Sequence, residues 1–163
     1  MAIHKVDGVD GTNNFPKKFV RLYCTGTVTK GDWVRIDLDS SDASKNGLGA
    51  TVEQVPAAAS SEGDALVCGV ATETLTASGY LKVQTAGLYG DGTQGGGAGV
   101  HDGVSAAGMA LCIDDNGAAG EADAYEADTH HKGLICGVSL TAKGAGDYDD
   151  DEATVMIIDQ GFF

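Results

Sequence analysis

The sequence lacks the features of a membrane protein or an exported protein. None of its 163 residues belongs to an apolar run of the ~18 residues that a membrane-spanning helix needs. The first residues, MAIHKVDGVDGTNNFPKKF, contain no apolar stretch of the kind found in signal peptides. These absences predict synthesis in a cytoplasm, no passage through the general export pathway and no membrane partner.

Positive charge is scarce, with 10 Lys and Arg against 24 Asp and Glu and a net charge of −14. Residues 1–35 carry six basic and three acidic residues, a net of +3, whereas residues 36–163 carry a net of −17. Because phosphates attract positive charge, the acidic body predicts no nucleic-acid partner. The asymmetry favours a basic N-terminal attachment segment, although the same lysines are also ordinary for a solvated surface.

Catalytic patterns are also missing. The four cysteines have no CxxC spacing and each lies in an apolar run, which predicts buried strand residues rather than disulfides or zinc ligands: Cys24, Cys68, Cys112 and Cys136. No GxCxG or GxSxG pattern surrounds Cys68 or Cys136, and no ordered set of His with Asn or Asp accompanies them. The sequence therefore predicts a protein that is not an enzyme, with no catalytic residue and no cofactor.

Two polar segments resemble metal sites only in composition. Asp128 precedes the adjacent His130 and His131, but neighbouring residues on an extended strand point to opposite faces, so a polar loop is favoured. The acidic run DYDDDE (147–152) lacks the spacing of a calcium-binding loop and predicts a solvated hairpin tip between two strands. We therefore predict no metal site. A calcium-dependent binding or enzymatic β module is the alternative that these segments leave open.

Proline and helical periodicity are rare, whereas glycine is abundant. The chain has two prolines and 25 glycines, and no stretch shows convincing helical spacing of apolar residues. Short segments instead alternate apolar and polar residues, as in FVRLYC (19–24), DWVRIDL (32–38) and GYLKVQT (79–85), while TVMIID (154–159) is a fuller apolar run. This period of two predicts an all-β fold, a compact barrel or sandwich of short strands.

An internal repeat relates the two halves of the chain. Three pairs of segments align: LVCGV (66–70) with LICGV (134–138), TGTVTKGDWVRID (25–37) with HDGVSAAGMALCID (101–114), and GYLKVQTAG (79–87) with ATVMIIDQG (153–161). The glycine after each repeated cysteine is predicted to admit a neighbouring strand or to form a bulge, because it has no Cβ to collide there.

The repeat predicts a single β domain over residues 21–163. Its two half-units would span about 21–90 and 100–163, and the glycine-rich segment 87–103 is interpreted as a flexible linker between them. Residues 1–20, which precede the domain, are expected to form an extended N-terminal arm.

The segments VTKGDWVRIDL, VCGVATETLTASGYLKVQTAGL and ICGVSL, with the later EATVMIID, resemble the small capsid decoration (cement or head-stabilising) proteins of tailed bacteriophages. The resemblance covers roughly residues 21–163 and rests on a Gly-Val strand that leads through a turn into a strand ending in glycine. It implies a structural virion protein, made in the host cytoplasm, that binds the outer capsid surface and stabilises the shell against internal DNA pressure. It also implies the major capsid protein as partner and assembly as a homotrimer.

The resemblance further implies a role for the arm, because N-terminal arms in such families often reach across capsid subunits and pair with strands there. Within residues 1–20, Phe15 and Phe19 are expected as apolar anchors, and Lys17 and Lys18 as charges complementary to an acidic shell. The alternative function is a tail or head-spike component, or a host-surface glycan-binding β module. Such a module would expose aromatic side chains at loop tips, and this chain has one Trp and five Tyr.

Overall fold

The computed structural model describes residues 16–37, 51–57, 66–113, 118–125 and 134–161. The strands within these ranges are β1 (Lys18–Cys24), β2 (Trp33–Ile36), β3 (Thr51–Gln54), β4 (Val67–Ala71), β5 (Gly79–Tyr89), β6 (Ala98–Gly99), β7 (Ala110–Cys112), β8 (Asp123–Ala124), β9 (Gly137–Ser139), β10 (Glu152–Ala153) and β11 (Val155–Ile157). The predicted all-β fold is confirmed. Within the described ranges, no helix has the length and apolarity needed to cross a membrane.

The first half of the chain forms a closed, mixed barrel of five strands in the order β1-β3-β2-β4-β5, which β5 closes by pairing with β1. β1 is parallel to β3 and antiparallel to β5. The alternation seen in the sequence turns one side of each strand inward. These side chains fill the barrel interior: Leu22, Cys24, Val28, Val34, Ile36, Val52, Cys68, Ala71, Leu81 and Val83.

The second half repeats this connectivity. The antiparallel order β11-β9-β7-β8 corresponds to β5-β4-β2-β3. A parallel bridge between Val100 and Ala122 corresponds to the parallel pairing of Cys24 with Val52. The antiparallel pair β6–β10 then corresponds to β1–β5 and completes the circuit. The two halves join where the end of β5 pairs with β11, at Tyr89 and Val155 among others.

The registers confirm two of the three sequence alignments. Val34 pairs with Gly69 as Leu111 pairs with Gly137, which matches the alignments of residues 25–37 and 66–70. Every interior position of the first barrel has a buried counterpart in the second half: Ala98, Val100, Val104, Leu111, Ile113, Ala122, Cys136, Ser139, Ala153 and Val155. The half-units are therefore structural repeats.

The third alignment is wrong by two residues. Leu81 pairs with Leu22, and the equivalent pair in the second half is Ala153 with Ala98, so residue 79 corresponds to residue 151 rather than 153. A shift of two leaves the inward and outward sides of a strand unchanged, so the apolar pattern alone could not detect it.

The glycine-rich segment is not a flexible linker. Its first residues complete β5 and its last part contains β6, and Gly96, Gly97 and Ala98 are buried. The Gly99 N–H donates to the carbonyl of Gly31 at 3.0 Å, which attaches the segment to the first barrel. The absence of Cβ atoms allows this close approach, since a Cβ on Gly31 would lie 2.7 Å from the carbonyl oxygen of Gly97.

The prediction for the repeated Cys-Gly pairs is confirmed. Gly69 lies at an irregularity of the β2–β4 register, and a Cβ there would collide with the carbonyl oxygen of Gln84. A Cβ on Gly137 would lie 2.9 Å from the carbonyl oxygen of Met156 on the next strand. Both glycines therefore permit a close strand contact that any larger residue would obstruct.

Candidate interaction surface

One outward surface of the first barrel combines aromatic and basic side chains. It is formed by Phe19, Arg21 and Tyr23 of β1 and by Tyr80 and Lys82 of β5, and we call it the aromatic–basic face. Arg21 pairs across the strands with Lys82, and Tyr23 with Tyr80. Phe19 is 43 % exposed and Tyr80 is 64 % exposed. Exposed Tyr and Arg side chains of this kind are enriched among the residues that dominate protein interfaces.

Contacts within the aromatic–basic face hold its side chains in place. The ammonium group of Lys82 lies 4.4 Å from the centre of the Phe19 ring, a cation–π contact. The rings of Tyr23 and Tyr80 meet edge to face, with centroids 5.5 Å apart. Arg21 approaches a carboxylate oxygen of Glu73 at 3.9 Å, but both side chains are largely solvated, so this ion pair contributes little to stability.

The predicted arm contacts fall at the edge of this face. Phe15 lies outside the described residues, and Lys17 is exposed immediately before β1. Lys18 and Phe19 belong to β1 itself, and the Lys18 ammonium lies 3.0 Å from a carboxylate oxygen of Asp159. Residues 18–20, which the sequence analysis assigns to the arm, are thus part of a barrel strand. The described N-terminal residues, Pro16 and Lys17, therefore lead directly into the strand that carries the aromatic–basic face.

The equivalent surface of the second repeat is covered by the chain itself. Gly95, Gly97 and Gly99 stand at the positions of Phe19, Arg21 and Tyr23. On this row of glycines lies the turn of residues 29–32, with the Lys30 ammonium donating to the carbonyl of Gly95 at 2.9 Å. The first repeat carries large side chains where the second has glycine, so the same turn could not pack there.

An acidic cleft of about 430 Å³ lies beside that turn. Its carboxylates are Asp32, Glu121, Asp149, Asp151 and Glu152. Burial raises the pKa of the Asp32 and Glu121 carboxyl groups, and the charge of Asp151 raises both further. This charge would attract cations. Among the described residues, however, no group of three or more His, Cys, Asp or Glu side chains is arranged to hold a metal ion.

Of the two segments whose composition resembles a metal site, the structure describes only the acidic run 147–152. Asp128, His130 and His131 lie outside the described residues. Residues 147–152 connect β9 to β10 as part of a turn, but they are not simply a solvated tip, because Tyr148 and Glu152 are buried. The carboxylate of Glu152 accepts a hydrogen bond from Gly95 N–H at 3.0 Å, which fastens the turn to the glycine-rich segment.

The four cysteines are free and buried, as the sequence predicts. Burial raises the pKa of the Cys24 thiol to about 11, with added repulsion from Glu53 and Asp37, and it raises that of Cys68 to about 12. Burial also raises the pKa of Cys136, with a contribution from Cys112. A raised pKa favours the thiol over the reactive thiolate at neutral pH, so Cys24, Cys68 and Cys136 pack as small apolar residues.

Sequence reasoning singled out Phe19 of the aromatic–basic face but missed the residues of its partner strand. Tyr80 and Lys82 lie about 60 residues after Arg21 in the chain and become its neighbours only through the pairing of β1 with β5. The signal that could have found them is the polar set of the alternating segment GYLKVQT, which carries Tyr and Lys at its outward positions.

Comparison with protein-family models, with curated proteins and with solved structures finds no match to this chain. The relation to phage decoration proteins therefore stays a prediction.

Proposed function

We propose that this protein is a structural component of a tailed-bacteriophage virion. It binds the outer surface of the icosahedral capsid through the major capsid protein and stabilises the shell against internal DNA pressure. The protein is made in the host cytoplasm and assembles on the particle as a homotrimer. Attachment uses the aromatic–basic face together with the N-terminal segment that leads into it.

The observation that carries the proposal is the position of this face. It presents two cations and three aromatic rings on a chain whose net charge is −14, and β1 continues directly from the N-terminal residues. Cations on one side of a strongly acidic protein direct that side toward an acidic partner. An extended segment that precedes an exposed strand can also add main-chain hydrogen bonds to a partner sheet.

The small area of the aromatic–basic face fits a protein that attaches in many copies. A specific contact usually buries about 800 Å² on each partner. Five clustered side chains cover only part of such an area, so the N-terminal segment is expected to supply the remainder. Linking several such contacts in one trimer raises the overall strength of attachment through effective concentration, without requiring that any single contact be strong.

A second candidate is a tail or head-spike module that binds host-surface glycans. One observation favours it: Tyr80 is 64 % exposed and its ring is braced edge to face by Tyr23. A rigid exposed ring offers an apolar surface with a polar edge. Against it, Tyr80 lies on a strand beside Lys82 and Arg21 rather than at a loop tip.

The deciding experiment is quantitative mass spectrometry of density-purified particles from the virus that encodes this chain. A copy number in a simple ratio to the major shell protein supports the decoration function. A few copies per particle would favour the tail or spike function. Absence from the particles would overturn both.

A further inference from the structure

Two positive charges lie directly opposite each other at the centre of the aromatic–basic face. Arg21 of β1 pairs with Lys82 of β5, and both side chains are exposed. Residues that face each other on antiparallel strands have Cβ atoms about 5 Å apart, and like charges in this position destabilise a sheet. The pair therefore works against the stability of the barrel that carries it.

The second repeat shows that the fold does not need this pair. The pairing of β6 with β10, which corresponds to that of β1 with β5, places Gly97 at the position of Arg21 and Thr154 at that of Lys82. Neither residue is charged, and the strands still pair. The two cations of the first repeat are therefore no part of the construction that both halves share, and a functional role explains them better than a structural one.

Among the residues that the structure describes, neither cation has a close carboxylate partner. The Lys82 ammonium lies 4.4 Å from the centre of the Phe19 ring and has no ion-pair partner in this part of the chain. Arg21 approaches an oxygen of Glu73 only at 3.9 Å, and the same oxygen accepts the backbone N–H of Lys82 at 2.9 Å. Because these exposed contacts are weak, both cations are available to an anion from outside.

Aromatic rings flank the two cations along the strands. Phe19 and Tyr23 lie two residues before and after Arg21 on β1, about 7 Å away on each side at the rise of a strand. Tyr80 pairs with Tyr23, so two rings stand together at one end of the face. This apolar surface on both sides favours an anionic group whose neighbours are uncharged. An extended segment has the same spacing and can meet all three positions at once.

We infer that the aromatic–basic face recognises one carboxylate on an extended protein segment, an Asp or Glu with an apolar residue two positions before it and another two positions after it. The planar guanidinium of Arg21 can donate to both carboxylate oxygens, and Lys82 adds a second positive charge. The apolar side chains pack on Phe19 at one end and on the two Tyr rings at the other. The inference rests on the proposed attachment through this face and names the chemistry that the capsid partner presents there.

The charge of the whole chain favours a carboxylate on a protein over a phosphate backbone. A nucleic acid carries negative charge along its entire length, so beyond the two cations it would meet a molecule whose net charge is −14. A single carboxylate with apolar neighbours places its charge only where the cations are. Such a segment gains the attraction of Arg21 and Lys82 without repulsion from the rest of the chain.

NMR titration of the isotope-labelled full chain with capped peptides tests the inference without any particle. The peptide SLSESLS has the inferred pattern. The peptide SLSQSLS removes the charge, and SSLELSS keeps the composition but moves the apolar residues next to the carboxylate. We expect SLSESLS to shift the amide signals of β1 and β5. It should bind at least about tenfold more tightly than SLSQSLS, and more tightly than SSLELSS.

Substitutions on the face separate charge from geometry. R21Q and K82Q should each remove most of the affinity for SLSESLS, and R21K should weaken it because lysine lacks the planar fork. K143Q removes a positive charge in the second repeat and should bind like the wild type. R21Q should unfold at a urea concentration no lower than the wild type does, since it relieves the like-charge pair, so its loss of binding is not a loss of folding.

Several results would overturn the inference: no shift of the β1 and β5 amides at millimolar SLSESLS, equal binding of SLSQSLS, or a response of the same amides to inorganic phosphate or a DNA oligonucleotide at lower concentration than to SLSESLS. The proposed function fails separately. Peptide binding by a protein that is absent from purified particles would support the carboxylate site and overturn the capsid role. Presence on particles without peptide binding would do the reverse.

Discussion

Gly137 lies directly against the indole ring of Trp33: a Cβ at this glycine would be 3.0 Å from Cη2 of the ring. Trp33 comes from the first repeat and Gly137 from the second, and Trp33 is fully buried between them. Its Nε1–H donates to the carbonyl of Gly99 at 3.0 Å, and its backbone N–H donates to that of Gly120 at 2.8 Å. The ring therefore joins the two repeats through packing and hydrogen bonds together.

Replacing the repeated glycines should destabilise the protein in a graded way. In G137A the new methyl group meets the Trp33 ring and the carbonyl of Met156, and we expect a loss of about 1–3 kcal/mol. G69A should cost more, because its methyl group would collide with backbone atoms at Gln84. Gly79 provides the control, since its nearest contact would be an ordinary 3.9 Å.

Urea unfolding of the three variants, followed by far-ultraviolet circular dichroism, measures these differences. G79A should unfold close to the wild type. A G137A midpoint equal to that of G79A would contradict the packing described for Trp33 and Gly137.

Removing the Trp33 ring should weaken the protein as a whole rather than one half of it. W33A empties the contact between the repeats and is expected to cost about 3–5 kcal/mol, as other buried aromatic truncations do. W33F retains much of the packing but loses the hydrogen bond to Gly99, so it should lie between W33A and the wild type.

The number of transitions provides a sharper check. Trp33 is the single tryptophan, so its fluorescence reports on the contact between the repeats, while circular dichroism reports on all strands. In the wild type the two signals should change together. If fluorescence changed at a clearly lower urea concentration, the repeats would be separate folding units that this contact does not couple.

The sequence predicts individual strands better than it predicts the surfaces that strands share. The alternation in residues 19–24 and 79–85 identifies β1 and β5, because side chains on a strand turn to opposite faces. The same logic predicts Trp33 to be on the outer, polar side of β2 with Arg35, yet it is fully buried. The second repeat covers that side of the strand, and the local sequence around Trp33 carries no sign of it.

The candidate site shows the same limit. Lys18 and Phe19 are visible in the sequence as part of a basic N-terminal segment, but Tyr80 joins them only through the pairing of β5 with β1. The wrong alignment of residues 79–87 with 153–161, which is shifted by two, also has a physical reason. Alternation is unchanged by such a shift, and only strand pairings such as Leu22 with Leu81 and Ala98 with Ala153 define the true alignment.

Reversing charge on the aromatic–basic face should weaken attachment to particles. R21E/K82E replaces two neighbouring cations with carboxylates, so an acidic partner would be repelled instead of attracted. K143E reverses one charge in the second repeat, at a lysine that pairs with Asp102, and serves as the control. Binding to undecorated particles, measured at low and high salt, should fall at least about tenfold for R21E/K82E at low salt and little for K143E. Equal losses in the two variants would remove the face from the attachment site.

The Glu121 carboxyl group of the acidic cleft should lower the free energy of unfolding as the pH rises. Carboxylates that are paired or hydrogen-bonded in the folded state have the opposite effect. Burial raises the pKa of Glu121, and Asp151 adds to the shift, so the folded state disfavours the ionised carboxylate. Glu121 therefore causes no loss of stability at acidic pH, where it is protonated, and it destabilises the folded state as the pH rises through the carboxyl range. E121Q removes this cost and should stabilise the protein at neutral pH by less than about 1 kcal/mol, since the group is partly solvated.

The variant D102N should have the opposite effect on stability at neutral pH. The hydrogen bond and charge of Lys143 lower the pKa of Asp102, so this carboxylate supports folding at neutral pH and loses that effect as the pH falls. Unfolding midpoints measured from neutral to acidic pH should show the advantage of E121Q and the disadvantage of D102N both shrinking on acidification. An E121Q advantage that grew as the pH fell would mean that the carboxylate of Glu121 is stabilised in the fold, contrary to the buried, acidic surroundings in which it lies.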